Sequence, residues 1–190
     1  MAKIIISTNS SLDGIVQDPD GQEGFERGGW FGRSGGADVD PLFAVLLEEA
    51  LGAEALLLGR RSDQWFASRW LGRGGPFADR LNGMPKYVVS STLDEPAWSN
   101  ATVLGGIDQV AKLKEDLTRD VLVYASYQLE RALIEHDLVD EIRLMVFPVV
   151  VGAGERLFGG TSGEKPLRLV HARTVGAGIT HLTYRAGRAA

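Results

Sequence analysis

Three segments of this chain end an apolar run in residues that grip anions. In Leu56-Leu57-Leu58-Gly59-Arg60-Arg61-Ser62, an aliphatic run meets a glycine and then two arginines. A helix starting there points its first N–H groups and its positive dipole end outward, and a guanidinium forks onto phosphate oxygens. Tyr87-Val88-Val89-Ser90-Ser91-Thr92 ends in three hydroxyls, and Val121-Leu122-Val123-Tyr124-Ala125-Ser126 leads into a further helix start. Singly these are ordinary features: arginines at a helix start are usually solvated, and Ser126 serves equally well as a plain cap. Ligands of open α/β sheets collect at the carboxyl ends of strands. Brought together, the three ends could hold the phosphates of a dinucleotide.

That geometry requires alternating strands and helices. Lys3 to Ser7 reads as a buried strand closed by the Asp13-Gly14 turn. A Gly- and Asp-rich stretch from Gln17 to Asp40 carries Phe25, Trp30 and Phe31, as a loop packing over a ligand would. Asp40-Pro41 reads as a helix start, with Leu42, Val45, Leu46 and Glu49 at helical spacing. Strands are expected at 55–58, 86–90, 102–104 and 121–124, and helices from Arg60, Asp108 and Gln128. The Gly/Pro-rich stretch 71–85 reads as loop. Glu141 to Val151 reads as a long strand with a bulge at Pro148, followed by a hairpin, 167–175 with 178–185, turning at Gly176-Ala177. The order predicts a three-layer α/β/α domain spanning 1–190, its sheet mostly parallel with a late antiparallel hairpin.

Composition narrows the function. With a net charge of -5 and no basic run, nucleic acid is not an expected partner. No apolar stretch approaches a membrane span, the N-terminus lacks a signal-peptide core, and cysteine is absent. A cytoplasmic protein is expected. Gly152-Ala153-Gly154 opens like a dinucleotide fingerprint but lacks the third glycine. His171 and His181 fall on the two hairpin strands and read as a cross-strand pair; no metal site is expected.

The spacing of these pieces resembles the dihydrofolate-reductase-like superfamily, and more closely the branch containing the C-terminal reductase domain of the riboflavin-biosynthesis deaminase/reductase. Four segments carry the likeness: Ser10-Ser11-Leu12-Asp13-Gly14, Gly59-Arg60-Arg61-Ser62, Val88-Val89-Ser90-Ser91, and Leu138-Val139-Asp140-Glu141-Ile142 continuing through Pro148-Val149 to Gly152-Ala153-Gly154-Glu155-Arg156-Leu157-Phe158. The resemblance implies NADPH as hydride donor, a small-molecule substrate and often a homodimer. By position it places Arg60, Arg61 and Ser91, with Ser90 beside it, at the 2′-phosphate, and Gly59 and Ser62 along the diphosphate. Ser126, Tyr127, Gln128 and Leu129 would border the diphosphate and nicotinamide, and Thr8 and Ile15 would touch the nicotinamide. One departure stands out: Ala125 occupies a place where the family has glycine, whose backbone freedom the turn exploits.

Reduction also consumes a proton. Folate-reducing members use a carboxylate on the first helix; here Asp40 lies near that region but resembles a cap, and Glu49 falls further along the inward face. Asp13 lies near the nicotinamide end and is the other candidate. The expected activity is an NADPH-dependent reduction of a pterin-, pyrimidine- or riboflavin-pathway-like compound. Alternatives are a non-catalytic nucleotide-binding protein or a small-molecule binder on the same fold.

Overall fold

The computed structural model describes residues 1–187. Eight strands form one sheet in the order β4-β3-β2-β5-β1-β6-β8-β7. They are β1 (Ile4–Ser11), β2 (Ala55–Gly59), β3 (Lys86–Val89), β4 (Ala101–Leu104), β5 (Val121–Tyr124), β6 (Glu141–Phe147), β7 (Leu167–Val175) and β8 (Ile179–Ala186). All pairings from β4 across to β6 are parallel; β6–β8 and β8–β7 are antiparallel. The helices are α1 (Trp30–Gly35), α2 (Val39–Gly52), α3 (Arg60–Trp70), α4 (Pro76–Gly83), α5 (Ile107–Asp116) and α6 (Tyr127–Glu135).

The aliphatic runs form the middle of the sheet because both faces are covered there. Ile5, Leu56, Leu58 and Leu122 pack with Phe66, Trp70 and Leu81 under α3 and α4, on the side that α2 also covers. Ile4, Ile6, Leu57, Val121 and Val123 pack with Val110 and Leu133 of α5 and α6 on the other side. A third cluster of Trp30, Leu42, Val45, Met145, Phe147, Val175 and Ile179 anchors α1 and the hairpin beside α2. This is the expected three-layer α/β/α architecture, its sheet mostly parallel with a late antiparallel hairpin. Among the described residues, no helix is long and apolar enough to cross a membrane.

Local boundaries differ in instructive ways. Stretch 71–85 is not all loop: α4 starts at Pro76, immediately after Gly75, whose φ of 112° suits glycine. The α2 helix begins at Val39, so Asp38, not Asp40, precedes it. The Asp38 carboxylate accepts a 2.6 Å hydrogen bond from the Ala177 N–H and ties the helix start to the β7–β8 turn. Strand β6 ends at Phe147, before Pro148, and the register irregularity lies at Leu169/His171 in β7 instead.

Candidate active site

Because β4, β3, β2, β5 and β1 run parallel, their carboxyl ends share one edge of the sheet. Three helices start there: α3 directly after β2, α5 after β4 and α6 after β5. Their caps are Gly59, Gly106 and Ser126, and none makes a side-chain hydrogen bond into its own first turn. The first-turn amides and positive dipole ends of three helices are therefore turned toward one cleft of about 980 Å³.

This cleft gathers almost every anion-gripping residue the sequence singles out. Gly59, Arg60, Arg61 and Ser62 line it from α3, and Ser90, Ser91 and Thr92 from the end of β3. Ala125, Ser126, Tyr127, Gln128 and Leu129 line it from the start of α6, and Thr8 from β1. Gly105, Gly106 and Ile107, which sequence reasoning missed, complete the rim from α5. Ile15 does not reach the cleft: its side chain is fully buried, and its backbone is spent on Ser11 and an antiparallel bridge to Arg156. Its neighbour Val16 lines the wall instead.

Short hydrogen bonds fasten the β5–α6 turn to the start of α3. Ser62 Oγ donates to the Ala125 carbonyl at 2.7 Å, the Gly59 N–H donates to Ser126 Oγ at 3.1 Å, and Ser126 Oγ donates to the Tyr124 carbonyl at 2.9 Å. Ala125 adopts φ 49°, the left-handed region where a Cβ costs about 1–2 kcal/mol. Ala125 thus accepts the glycine geometry, and its own side chain is exposed. Beneath the turn, the Ser126 N–H donates to Glu130 Oε1 at 3.3 Å. Burial pushes the Glu130 carboxyl up to about 8, against the Ser126 amide and the Thr8 hydroxyl, which favour its charged form.

The other half of the cleft is aromatic. Phe31, Phe43, Trp65, Phe66, Trp70 and Phe77 line it from α1, α2, α3 and α4. The loop ahead of α1 folds over it. The buried Asp18 carboxylate accepts from the N–H groups of Glu23 and Phe25, both at 3.0 Å, which shapes the loop. Asp20 then latches it to α3, accepting from Trp65 Nε1 at 2.8 Å and Arg69 Nη2 at 2.6 Å.

The two candidate acids lie elsewhere. Asp13 accepts from Ser11 Oγ at 2.7 Å, the Val151 N–H at 3.0 Å and the Gly152 N–H at 2.8 Å. Burial alone would raise its pKa, but the Ser11 hydroxyl and these amides outweigh it and hold the group at about 2. A carboxyl so acidic stays ionised near neutral pH and organises the turn rather than delivering protons. Asp40 is exposed in the first turn of α2, where its charge complements the helix dipole, and does not line the cleft. The third carboxylate, Glu49, is 7 % exposed and accepts from Ser7 Oγ at 2.7 Å and Tyr124 Oη at 3.3 Å. Both hydroxyl residues line the cleft. His171 and His181 face each other edge-on, ring centroids 6.5 Å apart, away from it.

Similar proteins agree with this architecture. YyaP of Bacillus subtilis (strain 168), itself uncharacterised, is 27% identical over 191 residues, covering 96% of this chain and 94% of its own. A candidate riboflavin biosynthesis protein from Shewanella sp. PV-4 superposes with a TM-score of 0.72 at 22% identity, covering 99% of this chain and 100% of its own. Dihydrofolate reductase from Enterococcus faecalis, solved with NADP(H), gives 0.60 at 12% identity, covering 98% and 97%. A Thermotoga maritima deaminase/reductase gives 0.63 at 12% identity over 98% of this chain, which spans only 57% of that longer one. The family model of the RibD C-terminal domain matches residues 2–181. The chain therefore belongs to the RibD C-terminal domain family, on the dihydrofolate-reductase-like fold.

Proposed function

We propose that this protein is an NADPH-dependent reductase of a flat heterocyclic substrate of the pterin, pyrimidine or riboflavin-precursor type. The observation that carries the reading is the two-part cleft. Three helix N-termini, two arginines and a row of hydroxyls occupy one half, and six aromatic side chains the other. The first half suits a polyanionic nucleotide and the second a flat ring.

The residues present fit NADPH. Arg60 Nη1 donates to Thr92 Oγ1 at 3.2 Å, beside Ser90 and Ser91 at the mouth of the cleft, and Arg61 lines the same cleft within electrostatic reach of Glu23 and Tyr127. The Arg60 guanidinium beside these hydroxyls, with Arg61 next to it on α3 as a second cation, would hold a terminal phosphate such as the 2′-phosphate. The first-turn amides that follow Gly59, Gly106 and Ser126 at the starts of α3, α5 and α6 would hold the diphosphate, and a Cβ built on Gly59 would stand 4.0 Å from Ser126 Oγ, in the floor of that cradle. Bound there, the cofactor supplies a hydride. The chain orients the substrate ring against Phe43 and Trp65, excludes water by the Asp20 latch, and provides a proton for the reduced atom.

A catalytically silent nucleotide binder is the second reading, favoured by Asp18 and Asp20: both are cleft carboxylates already committed to holding the loop. Fluorescence titration with NADPH, then NADPH oxidation against a panel of oxidised pterins and aminopyrimidines, separates the two. Binding with turnover supports the reductase, binding without turnover on any compound supports the silent binder, and no binding rejects both. A homodimer also fits. Strand β7 ends the sheet with eight of its nine residues exposed, Leu167, Leu169 and Val170 among them, and sedimentation velocity tests for it.

A further inference from the structure

Asp13 and Asp40 stand outside the cleft, yet the third carboxyl that the sequence offers, Glu49, is wired to it. Glu49 Oε2 accepts from two hydroxyls that line the cleft, Ser7 on β1 and Tyr124 on β5. Its other oxygen, Oε1, is buried and, among the described residues, makes no well-formed hydrogen bond, only the Arg143 ion pair at 3.3 Å. Glu49 also borders a second cavity of about 370 Å³, lined with Arg143, His171, Arg173 and His181, and two of these, Arg143 and His181, are the neighbours of Oε1. There His181 Nε2, also buried and without a hydrogen-bond partner among the described residues, stands 3.8 Å from Oε1. Glu49 and the two hydroxyls are thus a wall one side chain thick between the reaction cleft and a separate polar cavity.

We propose that Glu49 stores the proton which the reduction consumes, passing it into the cleft through the Ser7 hydroxyl and regaining it from the second cavity. This rests on the reductase reading above. As the hydride reaches the substrate carbon, the Ser7 hydroxyl gives its proton to the adjoining substrate nitrogen or oxygen. Ser7 Oγ takes the proton of the Glu49 carboxylic acid from Oε2 in the same step, so in the resting acid the 2.7 Å contact runs from Oε2–H to Ser7 Oγ, and once Glu49 is a carboxylate Ser7 donates back to it. A water molecule of the second cavity then returns a proton to Oε1, the hydroxide left behind is neutralised by a proton from bulk solvent, and a half-turn of the carboxyl brings the protonated oxygen to Ser7 and closes the cycle. Glu49 acts through Ser7 and never touches the substrate.

The surroundings suit a neutral acid at rest. Burial raises the Glu49 pKa, outweighing Arg143, Ser7 and Tyr124, which favour its ionised form. Arg143 on β6 approaches Oε1 at 3.3 Å, but its guanidinium is already gripped by Glu141 at 2.7 and 2.8 Å, so its charge is shared. On β8, burial and then Arg173, Arg143 and His171 lower His181 to about 4, leaving a neutral imidazole that offers no counter-charge. Glu48, next on α2, adds negative charge at the rim, 3.7 Å from Arg173. Tyr124, raised by burial and by Glu49, remains a phenol and keeps its proton.

Infrared spectroscopy of the full chain tests this without substrate. The difference between native protein and Glu49→Gln isolates the Glu49 carboxyl and cancels Glu130, which both contain. The expected result has three parts: a carboxylic-acid C=O band at pH 6 that fades as pH rises, a shift of that band in Ser7→Ala, and rapid downshift on transfer to D2O. The downshift persists with NADPH saturating the cleft, because exchange runs through the second cavity. A Glu49 ionised throughout pH 5–7, a band indifferent to Ser7→Ala, or exchange blocked by NADPH overturns the relay. If Gln is not accommodated, the carboxyl carbon of Glu49 followed by NMR in native protein carries the same titration. NADPH affinity, expected within twofold of native in Glu49→Gln, is read in parallel; loss of NADPH binding by the native chain would reject the reductase reading itself.

Discussion

Glu130 allows a stability prediction with a worked magnitude. Its carboxyl is fully buried, one oxygen accepts a 3.3 Å bond from the Ser126 N–H, the Thr8 hydroxyl stands nearby, and the other oxygen has no hydrogen-bond partner among the described residues. Burial holds its pKa at about 8, against an ordinary value of 4.5. Between those values the native chain keeps a proton that the unfolded chain has released, so stability falls as pH rises. The contribution is complete below about 4.5 and lost once pH passes the folded value near 8, at about 1.4 kcal/mol per pH unit. Over the whole interval this approaches roughly 5 kcal/mol, a sizeable part of a typical folding free energy. Glu130→Gln has nearly the same shape and cannot ionise, and its carbonyl still accepts from Ser126. Guanidinium unfolding at pH 5, 6, 7, 8 and 9 should show the variant gaining on the native protein steadily up to pH 8 and levelling above it. A native-minus-variant difference that does not change with pH would refute the reasoning.

Other expectations concern the cleft. Arg61→Ala should weaken NADPH by about 10–100-fold, the worth of one charge-assisted pairing, and leave NADH nearly unchanged; equal loss for both, by fluorescence titration, would reject the phosphate assignment. Ala125→Gly should raise the melting temperature slightly, since relief of the φ 49° strain, about 1 kcal/mol, exceeds the extra freedom of glycine in the unfolded chain. Asp20→Ala removes the bonds to Trp65 and Arg69 and should speed protease cleavage between residues 20 and 28 without moving the global unfolding midpoint by more than about 1 kcal/mol. Asp63→Ala should cost about 2–4 kcal/mol, because this fully buried carboxylate accepts from the Ala97 and Trp98 N–H groups, which would be left without it.

What the sequence discloses follows from how local the signal is. Strand β5 matches its sequence boundaries, and β2 runs one residue further, because a contiguous aliphatic run bounded by turn residues has little alternative. The grouping of Gly59, Ser91 and Ser126 follows from parallel strands, which place all their carboxyl ends on one edge. Helix α4 is hidden because Gly72, Gly74, Gly75 and Gly83 surround it, and α1 because it is short and glycine-flanked. Asp13 could not be judged locally: the amides that acidify it belong to Val151 and Gly152, far along the chain. Glu49 falls on the inward helix face by spacing alone, but its partners come from β1, β5, β6 and β8, and only the folded sheet assembles them. Gly105-Gly106, by contrast, could have been found from the same strand-then-glycine pattern that marks Gly59.

The central claim is that three helix N-termini at the sheet's carboxyl edge jointly hold NADPH. Titrating the isotope-labelled protein with NADPH and following backbone amides by NMR tests this most directly. The account predicts shifts concentrated at Gly59 to Ser62, Gly105 to Ile107 and Ser126 to Leu129, with Asp40 and the β7 amides unmoved. Shifts confined to the second cavity, or none at saturating NADPH, would contradict it.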